Sequence, residues 1–209
     1  MYGVSDLDAG VDALETLLGM RAAPGGSHPG WGTRNALLSL GKDVYLEIIA
    51  PDPAQPLHGN FGGRLRELER PGLITWAVNV RGLASTAHAL NDAGLEASGP
   101  VPMSREDPKI GVLDWELLFI GGHDLGLCVP FLIDWLKCPH PSASTPGGCA
   151  LESIELLSPN PDALRKAMKA IGLDLPITTA ENAGLRAMLS SPKGSVTLTS
   201  AAPVPDTLF

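Results

Sequence analysis

Three stretches of the chain repeat one pattern at nearly equal spacing, and a repeat of that kind restricts the fold more than any other feature. They are Asp6 to Gly19 (DLDAGVDALETLLG), Gly82 to Gly94 (GLASTAHALNDAG) and Asn160 to Gly172 (NPDALRKAMKAIG). Each carries apolar residues at helical spacing: Val11, Leu14 and Leu18; Leu83, Ala87 and Leu90; Leu164, Met168 and Ile171. Each stops at a glycine, the residue that most easily adopts the left-handed conformation closing a helix. Asn160 followed by Pro161 is in addition a good cap and first-turn pair. The glycines, Gly19, Gly94 and Gly172, lie 75 and 78 residues apart. Such even spacing is the mark of a repeated supersecondary unit.

Apolar or β-branched runs flank each helix. A stub at Tyr2 to Val4, then Leu73 to Val80 and Leu151 to Leu157, precede the three helices. After the first come Asn35 to Leu40 and Val44 to Ala50, after the second Val112 to Ile120 and Leu127 to Trp135, and after the third Leu185 to Leu189 and Val196 to Thr199. Gly, Pro or Asp bounds these runs, so every unit reads β-α-β-β-β. The fold class is α+β. The stretch Cys138 to Gly148 (CPHPSASTPGG) reads as a linker. The expected organisation is a paired-module domain over 1–137, with modules of about 1–70 and 71–137, then a linker over 138–149 and a third, C-terminal module over 150–209. With 24 Gly and 19 Pro, much of the chain must be turns and connections, where binding groups commonly sit.

Charge and composition exclude several classes. The chain has 15 basic and 23 acidic residues, a formal charge of −8, and no Lys/Arg stripe to follow phosphates, so nucleic acid is not an expected partner. No apolar run approaches the roughly 20 residues that span a bilayer, and the start lacks a secretory pattern, so a cytoplasmic protein without membrane contact is expected. Its 44% apolar content is ample for a packed core. Cys128, Cys138 and Cys149 cannot all pair within the chain and match no zinc spacing, which leaves free and mostly buried thiols. No Gly-rich phosphate loop, Gly-x-Ser-x-Gly elbow or His-Glu-x-x-His helix is present.

Four segments carry a family resemblance: Gly25 to Asn35 (GGSHPGWGTRN), Tyr45 to Pro51 (YLEIIAP), Thr75-Trp76-Ala77, and Pro130 to Trp135 (PFLIDW). Together they resemble bacterial glyoxalase-like domains of the vicinal-oxygen-chelate superfamily over about residues 1–140, and more weakly through the third module. The resemblance implies repeated βαβββ modules forming a curved mixed sheet, an open barrel around a small-molecule cavity. It implies isomerase, lyase or dioxygenase chemistry, or simple sequestration, often with a divalent metal held by His and Glu.

Glu47 is the leading candidate for both the catalytic acid/base and a metal ligand. Alternation places it on one strand face with Tyr45 and Ile49, and a carboxylate in so apolar a strand is costly unless paired, protonated or metal-bound. Asp134 occupies the matching strand of the second module, where it either faces the same cavity as a ligand-binding group or serves as a capping or edge carboxylate, since a one-residue slip in register would reverse its facing. His28 sits in a Gly/Pro-rich loop, free of any packing duty, where its side chain suits proton transfer or ligation. Thr33 and Asn35 follow it and can hydrogen-bond an oxygenated ligand, or serve the turn. Trp76 stands near the place where the resembled family commonly carries a second-module histidine, and Trp115 is a further candidate pocket wall; Trp cannot ligate a cation but can line an apolar cavity. The family's Asp-His pair in the first strand is also missing: either that histidine has been lost or the start codon lies downstream of the true one. His58, His88, His123 and His140 are expected at the surface, and Arg64 and Arg66 on a solvated helix face.

Two functions remain open from the sequence. In one, a divalent metal, or Glu47 alone, promotes proton transfer next to a carbonyl of a small oxygenated molecule. In the other, a metal-free relative binds or sequesters a small ligand among Trp31, Trp76 and Trp115. The third module either completes a sheet or forms a homodimer interface, since a lone module leaves an apolar face exposed.

Overall fold

The structure is a computed structural model that describes residues 1–107 and 111–203. Three sheets follow one another along the chain. The contacts separate into two compact units. One comprises Met1–Ile74, His140–Ile154 and the described residues from Arg186 to Pro203; the other comprises Thr75–Pro139 and Glu155–Leu185, of which 108–110 are not described.

In the first unit the order is β1 (Tyr2–Gly3), α1 (Leu7–Leu18), β2 (Ala23–His28), β3 (Thr33–Ser39), β4 (Tyr45–Pro51), α2 (Phe61–Leu65) and β5 (Gly72–Leu73). The sheet order is β2-β3-β4-β1-β5, with β1 parallel to β4 and the other pairings antiparallel. The helix between β1 and β2 begins where Asp6 accepts a hydrogen bond from Ala9 N–H (2.8 Å), and Gly19 ends it at φ 77°. Leu7, Val11, Leu14 and Leu18 are its buried stripe. It packs on β3 and β4, and the Asp8 to Arg34 ion pair (3.4 Å) shows which face it covers: the face of Arg34, Ala36 and Leu38.

In the second unit, β6 (Ala77–Asn79), α3 (Leu83–Asp92), β7 (Glu96–Asp107), β8 (Gly111–Gly121) and β9 (Phe131–Asp134) pair in the order β6-β9-β8-β7. This is the order of the first module, β2-β3-β4-β1, read from its own first strand, so the two modules share one topology. Leu83, Leu90, Leu118 and Leu132, each at most 1% exposed, form the core between helix and sheet.

The third module has the same succession of elements: β10 (Ala150–Ser158), α4 (Pro161–Ile171), β11 (Ile177–Thr179), β12 (Gly184–Ser191) and β13 (Gly194–Thr199). Asn160 caps its helix by accepting from Ala163 N–H (3.2 Å), and Gly172 closes it at φ 82°, as the sequence predicts. Its pairing differs from the other two, with β11-β10-β12-β13 the strand order. Here the first strand pairs in parallel with the strand that follows the helix, whereas in the other modules the first strand pairs with the last.

The sequence reading misses β2, β7 and β11. The first runs APGGSH, in which Pro and Gly hide an edge strand with an irregularity between Pro24 and Gly26. The second contains Gly99 and Pro100 at a similar register shift. The continuous strand expected over Leu73 to Val80 is interrupted: β5 ends at Leu73 and β6 begins at Ala77, which leaves Trp76 between strands. Leu127 likewise falls in a short 3-10 turn rather than in β9. The Pro-rich stretch after Cys138 contains a second 3-10 turn, Pro141–Ala143, capped by His140.

Candidate active site

Alternation along β3 and β4 divides their side chains between two faces. With Leu37 opposite Glu47 and Asn35 opposite Ile49, those four residues share the face turned away from α1, and Thr33 joins them. β2 adds His28, opposite Thr33. Thus Glu47, Asn35, Thr33 and His28, read from the sequence as separate candidates, come together on one surface. His28 belongs to the end of a strand rather than to a loop, and its ring is half-buried.

A chain of hydrogen bonds connects them. Asn35 Nδ2 donates to Glu47 Oε1 (2.7 Å) and lies 3.3 Å from His28 Nε2; His28 Nδ1 lies 2.9 Å from Thr33 Oγ1. The orientation of the amide follows from its other end, because Gly26 N–H donates to Asn35 Oδ1 (3.0 Å). A carboxamide nitrogen only donates, so His28 Nε2 must accept. The imidazole is therefore neutral with its proton on Nδ1, which donates to Thr33. Asn35 and Thr33 are 7% and 0% exposed, which locks this arrangement from beneath. Glu47 is half-buried, and Asn35 holds its Oε1.

Gly25, which the sequence reading passed over, makes the arrangement possible. A Cβ there would stand 2.1 Å from Asn35 Oδ1, so only glycine leaves room for the carboxamide. The signal available in the sequence was the Gly25-Gly26 doublet beside polar residues, which marks a place where another group approaches the backbone.

Apolar packing and a carboxylate clamp fix the surroundings. Ile49 is buried with Phe61, Leu65, Leu68 and Ile74, and Met1 and Trp31 pack against this cluster. Since β1 runs parallel to β4 with Tyr2 level with Ile48, the amino group of Met1 lies near Glu47. Burial lowers its pKa to about 6, against the pull of the Glu47 carboxylate. Beyond Thr33, Asp52 accepts from Ser27 Oγ (2.6 Å), Gln55 Nε2 (2.8 Å) and Ala54 N–H (3.0 Å). The Ser27 and Gln55 bonds hold its carboxyl below the usual range, and the cluster ties the strand carrying His28 to the turn after β4.

The other sequence candidates belong to the second unit. Asp134, 5% exposed, accepts from Gly82 N–H (2.8 Å) and Leu136 N–H (2.8 Å) and pairs with Arg81 (3.2 Å). Burial alone would raise its pKa; the two backbone donors and Arg81 more than reverse this. Its carboxylate thus holds the entry to α3. Trp115 is buried against Trp135, their rings 5.4 Å apart, and Trp76 Nε1 donates to Cys128 O (3.1 Å). The three cysteines are unpaired, with Cys128 and Cys149 buried. His58 and His88 are exposed as expected, whereas His123 and His140 are half-buried and bonded to neighbouring groups.

The resemblance implies a divalent metal, and the donors present do not fit one. Among the described residues no three His, Cys, Asp or Glu side chains gather as ligands would. On this face Glu47 Oε1 and His28 Nε2 both turn toward Asn35 Nδ2. A cation between them would meet the positive ends of the amide N–H bonds.

Residues 1–172 match the family model described as glyoxalase-like domain. No curated protein matches the sequence. Among solved structures, a hypothetical protein from Staphylococcus aureus is similar with a TM-score of 0.58 and 19% identity, over 85% of this chain and 75% of that one. Methylmalonyl-CoA epimerase from Mycobacterium tuberculosis is similar with a TM-score of 0.51 and 21% identity, over 68% of this chain and 88% of that one. At these identities the likeness bears on the fold. No helix among the described residues is long and apolar enough to cross a membrane.

Proposed function

The chain belongs to the glyoxalase-like domain family of the vicinal-oxygen-chelate superfamily, and on that premise we propose that it moves a proton at the carbon next to a carbonyl in a small oxygenated molecule, with Glu47 as the base. One observation carries this reading: a carboxylate on the sheet face opposite α1, held at Oε1 by Asn35. In the step, Oε2 takes the proton from carbon, and the pair of electrons from the C–H bond passes into the carbonyl to give an enolate. Return of the proton to the same or a neighbouring carbon completes an epimerisation or isomerisation. No outside oxidant or reductant is needed. The fixed amide keeps the base from rotating away, and the apolar cluster around Ile49 and Phe61 limits water on one side.

The test is exchange of carbon-bound hydrogen in deuterated solvent, followed by proton NMR, over a panel of 2-substituted acyl thioesters, 2-hydroxy aldehydes and 2-keto acids. Methylmalonyl-CoA is the first probe, because a structural neighbour bears its name. At least one class exchanges, and Glu47→Gln slows it by about a hundredfold or more. A compound that binds with no exchange in either protein would instead favour sequestration. In that second reading Trp31, which packs against the cluster of Ile49 and Phe61 on this side of the sheet, is the aromatic to examine.

A further inference from the structure

We infer that Asn35 is the positioning residue that makes this site independent of metal, and that its carboxamide stands in for the cation which the surrounding donors would otherwise need. The inference rests on the proposed role of Glu47 and deepens it. A carboxylate oxygen and an imidazole nitrogen aimed at one small volume are the beginnings of a cation site. Here that volume holds Asn35 Nδ2, 2.7 Å from Glu47 Oε1 and 3.3 Å from His28 Nε2. The two N–H bonds of the amide supply the positive end of a dipole to both acceptors without bringing a charge. Neither acceptor can turn the amide round, because Gly26 N–H holds Oδ1 and the absent side chain of Gly25 leaves that oxygen its only space.

Replacing this one nitrogen by oxygen reverses the electrostatics. In Asn35→Asp, Oδ1 keeps the Gly26 bond, while the second oxygen confronts Glu47 Oε1 and His28 Nε2 at hydrogen-bond distance. Two carboxylates then face each other at one point, and His28 can offer them a donor only by moving its proton from Nδ1 to Nε2. A divalent cation, or a proton, is the group that relieves them.

The experiment is titration of the full chain with Co2+, read by its visible d–d absorption, for the wild type, Asn35→Asp and Asn35→Asp/Glu47→Gln. The wild type shows no saturable site below millimolar Co2+. Asn35→Asp binds one ion per chain at least a hundredfold tighter, and the double variant loses it. Long-range 1H–15N spectra of the wild type give an independent reading: His28 appears as the neutral Nδ1–H form. Stoichiometric Co2+ binding by the wild type that Glu47→Gln removes would overturn the inference. So would a natively folded Asn35→Asp protein that binds no better than the wild type, or a His28 with its proton on Nε2. If Asn35→Asp fails to fold, the wild-type titration and the tautomer still decide. Because these readouts need no substrate, they separate failure of this inference from failure of the proton-transfer reading, which rests on hydrogen exchange.

Discussion

An alanine at position 25 would bring its Cβ to 2.1 Å from Asn35 Oδ1, while the backbone there is one that alanine adopts without strain. Gly25→Ala therefore isolates a single collision. The carboxamide must move, and Glu47 and His28 lose their common donor. The expected outcome is a loss of exchange activity approaching that of Glu47→Gln with only a modest drop in melting temperature, measured on the same preparation; full activity would show that the Asn35 orientation is not needed. Position 47 was legible from sequence because a carboxylate in VYLEII contradicts its neighbours. Thr33, Asn35 and His28 were legible as polar groups near the same place. What pairs with what was not, since the Asn35 to Glu47 contact is a diagonal across two strands and depends on register. Gly25 was marked only by its doublet with Gly26, as its function is the space it leaves to a residue ten positions away.

Helices α1, α3 and α4 were read almost to their ends, because an apolar stripe and a closing glycine lie within each segment, with a capping side chain as well in α1 and α4. Strands β2, β7 and β11 were not, because all three lie at sheet edges, β2 and β7 broken by Gly and Pro and β11 only three residues long, and such strands draw their stability from a partner rather than from local preference. Asp134 illustrates how an element can borrow its start from elsewhere. No side chain of its own caps α3, whose N-cap Gly82 adopts φ 76°, and Gly82 N–H donates instead to Asp134 on β9. Asp134→Ala should destabilise the protein by about 1–3 kcal/mol in denaturant titrations, the cost of stranding buried donors. The pH dependence follows from its lowered pKa. Its contribution is fully present above the unfolded value of about 4 and is lost as pH falls through the folded one. The acid limb of the stability curve should accordingly flatten in Asp134→Asn; an unchanged acid limb would count against this role.

At the scale of the whole molecule, the order of modules along the chain was legible from the spacing of three glycines, whereas the compact units were not. The first unit takes in residues far from its own module. Ser39 N–H donates to Pro146 O (2.8 Å), Leu151 N–H to Leu40 O (3.2 Å) and Ala201 N–H to Leu73 O (2.9 Å), and Ala201 is buried in the cluster with Ile49 and Phe61. The division into 1–137, 138–149 and 150–209 is thus a proposal that truncation tests directly. A chain ending at 137 should melt lower and bind an apolar dye, because it exposes that cluster; native-like melting would show that the first two modules stand alone. The different strand order of the third module also could not be read from its pattern, since succession of elements does not determine which strand is neighbour to which. The central claim, a base that works without metal, is tested most directly by the exchange rate of the best substrate after exhaustive treatment with a chelator. The account predicts a rate unchanged by the chelator and unchanged on adding Mg2+, Mn2+ or Co2+, and lost in Glu47→Gln. A rate abolished by the chelator and restored by one of these ions would contradict it.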